Sequence, residues 1–204
     1  MPRPKKLSDE DVLDAALHVM HARGPDALTF AALAESCGLS SATLVQRFAN
    51  KPNLVRQTVL HAWDGLDAQT VALASSIPRT PAGAIDLLVG LSAQYGGIEE
   101  YAEGLLLLRE DLRDPVLRAR GAIWKSRLCP VLDECFAGTA GVPVSIGLLM
   151  AAQWQGALLW WAFDPKVPVQ EFVEDGLGWF VSTLLGGDGA GNGIAPAKGR
   201  GSFV

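Results

Sequence analysis

The side chains most able to do chemistry lie between Thr29 and Lys51, and what they offer is hydrogen bonding rather than reactivity. If residues 41–48 form a helix with Leu44 and Phe48 turned inward, the outward set is Ser41, Ala42, Thr43, Val45, Gln46 and Arg47. That row is short, polar and without a carboxylate. It suits an element lying in a groove of DNA, where hydroxyl and amide groups reach base edges and cations reach phosphates. Lys51 follows where the next helix begins, so its ammonium and free backbone N–H groups could meet one phosphate. No catalytic constellation accompanies this set. His18, His21 and His61 stand apart from any candidate nucleophile, and there is no nucleophile elbow, phosphate loop, HExxH pair or paired-cysteine metal site. His18 and His21 lie three apart on one helix but lack a third ligand. The expectation is no enzyme, no catalytic residue, no cofactor and no metal.

The elements that would hold this row are two short helices around a tight corner. Thr29 has the hydroxyl to cap the first helix, and Ser40 the second. Gly38 stands where the first helix must stop, in a conformation that glycine adopts cheaply. Phe30, Leu33, Ala34, Leu39, Leu44 and Phe48 are spaced as one apolar face on each helix.

Thr29, Leu33-Ala34, Gly38-Leu39-Ser40, Thr43-Leu44, Phe48, Asn50-Lys51 and Leu54 together resemble the helix-turn-helix of the tetracycline-repressor (TetR) family of bacterial transcriptional regulators. The chain departs from the family's pattern at Val45, where tyrosine is usual, and at Ala42, where glycine is common. An aromatic contact is thereby lost, and no operator sequence carries over from relatives. The resemblance implies double-stranded DNA as a partner. Thr29, Arg47 and Lys51 would grip phosphates with the basic residues near the N-terminus, and Ser40 caps the reading helix. Ser41, Thr43 and Gln46 would read base edges, with Ala42 and Val45 available for thymine methyl groups. It also implies a homodimer, because the last two long helices of the family pair with their symmetry mates, and a small-molecule effector.

The totals agree with such a protein. Hydrophobic residues make up 49% of 204 and charged residues 19%, which predicts a globular chain. The net charge of −5 argues against a general nucleic-acid coat. Residues 1–56 carry seven Lys/Arg against six Asp/Glu, and residues 57–204 carry ten against sixteen, so the N-terminal part is the less acidic. Cys37, Cys129 and Cys135 show no pairing pattern, and no secretory signal is evident, which points to a reducing cytoplasm. The longest apolar run, Ile146 to Phe163, contains Gln153 and Gln155 and lacks basic flanks, so a membrane span is not expected.

In order along the chain, Arg3, Lys5 and Lys6 form a basic arm, either frayed or in contact with DNA. Ser8 caps a first helix that Gly24-Pro25 ends. The expected all-α chain has an N-terminal three-helix DNA-binding domain over 1–51 and a ligand-binding and dimerisation domain over 52–185. A disordered, glycine-rich tail follows over 186–204. The body helices are expected near 51–74, 81–95, 98–112, from 115 with a bend at Pro130, 143–163 and 168–185, about nine helices in all. Trp63, Tyr95, Trp124 and Trp154 are candidate walls of an effector pocket, with Arg109 and Gln153 as polar anchors. The helix over 143–163 is apolar nearly all round, so a second copy should cover part of it. Leu177 and Phe180 are expected on that pairing surface. These readings combine into a homodimeric transcriptional regulator, a repressor released from its operator by a small apolar or aromatic ligand. The alternative is a helical small-molecule-binding protein or enzyme whose helix-turn-helix is only structural.

Overall fold

The computed structural model describes residues 7–186, and among these every regular element is helical. The basic arm and nearly all of the glycine-rich tail therefore lie outside the described residues. The helices are α1 (Asp9–Arg23), α2 (Phe30–Cys37), α3 (Ser41–Phe48), α4 (Lys51–Ser76), α5 (Pro81–Ser92), α6 (Ile98–Arg113), α7 (Pro115–Glu134), α8 (Ile146–Phe163) and α9 (Val169–Leu184), with a 3-10 turn at Pro25–Ala27. None of the described helices is long and apolar enough to cross a membrane.

The helix starts follow from local chemistry. An α-helix leaves its first N–H groups without partners, and a side-chain oxygen one residue before it can accept from them. Ser8, Thr29, Ser40, Asn50, Thr80 and Asp114 each do so. At Ser8 the arrangement is reciprocal: the Ser8 hydroxyl accepts from the Asp11 N–H and the Asp11 carboxylate accepts from the Ser8 N–H. Two boundaries differ from expectation. α5 stops at Ser92 and leaves Tyr95 in the connection to α6. α8 begins at Ile146, not at 143, because Ser145 is left-handed (φ 66°, ψ 36°) and interrupts the helical path.

Two apolar cores result. One joins α1, α2 and α3 to the first half of α4 through Val12, Ala16, Met20, Leu33, Leu44, Phe48, Leu54 and Val59, and takes in Leu107 of α6 and Leu117 of α7. The other lies among α5, α7, α8 and α9 around Leu87, Leu91, Leu132, Met150, Trp154, Leu158, Val173 and Leu177. α4 has 26 residues, roughly 39 Å at 1.5 Å per residue. It spans both cores and is in contact with α1 and α3 near its start and with α5 and α7 beyond. In the body, α8 packs between α7 and α9, and its first turn rests on α7 so closely that a Cβ at Gly147 would strike the Cys129 carbonyl.

Candidate nucleic-acid interface

The reading helix is fixed from beneath and from both ends. Leu44 is fully buried and Phe48 nearly so, each against the core that Leu33 and Val12 share. The preceding corner turns at Gly38, whose φ of 70° and ψ of 21° place it in the left-handed region. The Thr29 hydroxyl accepts from the Ala32 N–H at 3.1 Å and the Ser40 hydroxyl from the Thr43 N–H at 3.1 Å. Ser41 also donates to the Phe30 carbonyl at 3.4 Å, which ties the start of α3 to α2.

Between these supports, Ser41, Ala42, Val45 and Gln46 stand exposed together on one side of α3. Thr43 is half-buried, its hydroxyl 2.9 Å from that of Ser40. The exit from α3 is sharp. Ala49 has φ 62° and ψ −58°, and the Asn50 N–H reaches back two residues to the Phe48 carbonyl at 2.7 Å. That is the rare, strained form of the γ-turn, on a residue with a Cβ. Asn53 then donates from its side chain to the same Phe48 carbonyl at 3.0 Å. Nothing in the residue types flagged Ala49, since alanine carries no signal for positive φ.

Two expected cations are placed otherwise than as free phosphate ligands. Arg47 is not in the outward row. Its guanidinium donates to the Leu7 carbonyl at 3.0 Å and meets the Asp9 carboxylate at 3.2 Å, leaving the side chain 21% exposed. The apolar spacing of α3 correctly excluded Arg47 from the core, but it could not reveal an acceptor forty residues away. Lys51 is half-buried and its ammonium donates to the Asp26 carbonyl at 2.7 Å, beside a recess of about 270 Å³. That recess lies where α4 meets the body, lined also by Pro25, Pro52, Arg56 and Asp114.

The expected effector residues divide. Trp63, Trp124 and Trp154 form one tilted column, with ring centroids 5.7 and 6.4 Å apart. Their indole N–H groups are all used internally, donating to Asp111 at 2.8 Å, Thr70 at 3.0 Å and Ser92 at 2.8 Å. Tyr95 belongs to a second group, edge-on to Tyr101 at 5.3 Å, with Trp161 beyond at 6.1 Å from Tyr101. Gln153 is half-buried on α8. Arg109 is on the surface of α6, mostly exposed and 3.3 Å from Glu110, so it anchors nothing in the aromatic column. Two residues absent from the sequence reading join that column. Arg120 lies over the Trp63 ring, 5.9 Å from its centroid, and pairs with Asp64 and Asp67. Asp111 is pushed up from the usual carboxylate range by burial, against the lowering effect of its bond from Trp63.

A residue expected on a pairing surface is placed otherwise. Leu177 is 0% exposed, packed inside the body and not on its outside. The large apolar side chains that do face outward on the last two helices are Trp160, Phe163 and Trp179, at 69, 75 and 72% exposure. Leu148, Leu149 and Leu159 on α8 are exposed as well.

Residues 12–58 match the model of the tetR family of bacterial regulatory proteins. No curated protein matches the chain in sequence. Among solved structures, a transcriptional regulator from Rhodococcus sp. is similar at 18% identity, over 89% of this chain and 97% of its own, with a TM-score of 0.71. The multidrug binding protein EbrR, complexed with malachite green, is similar at 21% identity over 82% of this chain and 94% of its own, TM-score 0.59. AibR, in complex with isovaleryl coenzyme A and operator DNA, is similar at 19% identity over 82% of this chain and 95% of its own, TM-score 0.61. The N-terminal helices thus match the tetR family of bacterial regulatory proteins, and the fold that continues from them is that of these solved structures.

Proposed function

We propose that the chain is a homodimeric, sequence-specific DNA-binding transcriptional regulator, acting as a repressor that a small apolar or aromatic effector releases from its operator. The observation that carries this reading is the exposed row Ser41, Ala42, Val45 and Gln46 on a helix whose other side is fixed by Leu44 and Phe48. Such a row presents hydroxyl, amide and methyl groups together, the set that distinguishes base pairs in the major groove. The bound molecules of EbrR and AibR, a dye in one and an acyl coenzyme A with operator DNA in the other, support the effector part of the reading.

The dimer part rests on Trp160, Phe163 and Trp179, large apolar side chains that α8 and α9 leave mostly exposed. Pairing through α8 and α9 would cover them and hold two copies of α3 about 34–36 Å apart, one helical turn of DNA. The effector would enter by parting the aromatic column of Trp63, Trp124 and Trp154, which touches α4 directly at Trp63. Since α4 begins beside α3, a small tilt there moves the reading helix. A ligand preferring the tilted dimer need supply only about 1–3 kcal/mol of coupling.

The test is selection of duplexes from a random-sequence pool by the full chain, followed by sedimentation and by titration of effector candidates against tryptophan fluorescence. The reading expects one enriched, two-fold symmetric sequence, a dimer at micromolar concentration, and effector binding that operator DNA weakens. Failure to enrich any duplex overturns it.

A further inference from the structure

Around Trp63 the carboxylates outnumber the cations. Asp64 and Asp67 on α4 take up Arg120 of α7, and Asp67 also takes Arg127, so those four charges balance. Asp111 on α6 is left over. It is half-buried, its carboxylate accepts from the neutral indole N–H of Trp63 at 2.8 Å, and no ion pair among the described residues includes it. Its neighbours in sequence, Arg109 and Arg113, lie beside Glu110 instead. We propose that the aromatic column takes an effector that is an aromatic cation, with its positive charge beside the Asp111 carboxylate and its ring against Trp63 and Trp124. The inference rests on the reading above in taking this column as the effector site, and it names the chemical class of the ligand.

The chemistry of the column favours a cation over a neutral or an anionic ring. A carboxylate drawn away from water without an opposite charge is costly, and a cation beside it recovers part of that cost. Burial pushes the Asp111 carboxyl up, against the lowering effect of the Trp63 bond, so its charge is poorly compensated. The indole rings attract positive charge through the negative faces of their π-systems. Arg120 already lies over Trp63 in this way, 5.9 Å from the ring centroid. An anion finds less. The indole N–H groups of Trp63 and Trp124 are spent on Asp111 and Thr70. Arg120 does keep Nη1 buried without a hydrogen-bond partner among the described residues. An anion bound there, however, would lie beside Asp64 and Asp67, which already offset that guanidinium.

The experiment titrates the full chain, without DNA, by calorimetry with closely matched two-ring probes: N-methylquinolinium, quinoline, which is uncharged at neutral pH, and naphthalene carboxylate. The cation should bind about ten-fold or more tightly than quinoline, the range that a contact to a charged group usually contributes, and the carboxylate should bind most weakly. Asp111→Asn keeps an acceptor for the Trp63 indole and removes the charge. In that variant the cation should fall to the affinity of quinoline, with quinoline itself unchanged. Equal affinities in the wild type, tighter binding of the naphthalene carboxylate, or no binding of any probe at millimolar concentration overturns the proposal. So does a cation preference that survives Asp111→Asn. The ranking in the wild type needs no variant, so it decides the matter even where Asp111→Asn fails to fold. A chain that ranks the probes as expected but selects no duplex loses the regulator reading and keeps the cation site. One that selects a duplex but shows no preference among the probes loses the cation site alone.

Discussion

The head and the body of this protein bury their apolar residues in opposite ways. α1 to α4 each begin at a side-chain cap, and they turn Leu33, Leu44, Phe48 and Leu54 into a closed core. What remains outside on α3 is small or polar. In the body, α8 and α9 have no side-chain cap, and each keeps large aromatic groups in solvent. The head is complete as it stands and the body is not. The contrast is what the proposed function would require: a hydrated groove asks for short hydrogen-bonding groups, while exposed aromatic groups suit another protein surface.

The largest expected effect separates inside from outside on a single helix. Leu177→Asp places a carboxylate without a partner in the packed core of α5, α8 and α9. It should cost on the order of 4 kcal/mol or more, a large part of a domain's whole stability. Trp179→Asp, two residues on, should leave helicity and monomer stability within about 0.5 kcal/mol. It should instead weaken dimerisation by about 2 kcal/mol or more, some thirty-fold in dissociation constant. Circular dichroism against urea reads the first quantity and sedimentation the second. A Trp179→Asp protein that stays dimeric at micromolar concentration removes α9 from the pairing surface.

The same two residues show what the sequence could and could not convey. Apolar positions 169, 173, 177 and 181 repeat every four residues, so α9 was legible as a helix with an inward stripe. Which apolar side meets the body was not, because Phe172, Trp179 and Phe180 are apolar on other sides and spacing alone does not assign them. Head helices were easier. Each starts at a cap residue whose side chain has one local task, and local tasks are written in adjacent residues. The contacts that spacing did not reveal share the opposite property. Arg47 reaches Leu7 and Asp9, Lys51 reaches Asp26, and Arg120 reaches Asp64 and Asp67 on α4. Long flexible cations choose partners across the fold, and no periodicity records the choice.

On the head side the expected effects are smaller and concern orientation. Gln46→Ala should lose about 1–3 kcal/mol of discrimination at one base pair while leaving the fold intact, if the amide makes a bidentate contact to adenine. Binding to single-base variants of a selected duplex measures this, and a uniform loss across all variants would make Gln46 a backbone contact. Ala49→Gly acts on the turn that aims α3. The positive φ of 62° costs alanine strain that glycine avoids, so the substitution should raise the urea midpoint, by about 1 kcal/mol in stability. A destabilised variant would mean that the turn is held chiefly by restricting the unfolded chain.

The smallest effect tests the seam between the two regions. Asp114 ends the connection between α6 and α7, and its carboxylate accepts from the Arg56 Nε of α4 at 2.6 Å. That bond holds the Asp114 carboxyl below the usual carboxylate range; burial opposes it, and the Val116 N–H adds to it. A depressed carboxyl pKa means the folded state binds the proton less readily than the unfolded state. The stabilisation is therefore present above the unfolded pKa of about 3.9 and drains away as pH falls below it, through the lower folded value. Arg56 is 39% exposed, so solvent limits the contribution to under about 1 kcal/mol. Asp114→Asn isolates the pair because asparagine caps α7 as well as aspartate does. Urea unfolding should show the variant weaker than wild type at pH 7, with the difference closing as pH is lowered toward 2. A difference that stays constant over that range would assign it to the cap, and the head would then be held to the body by the shared apolar contacts of Leu107 and Leu117 without help from this charge pair.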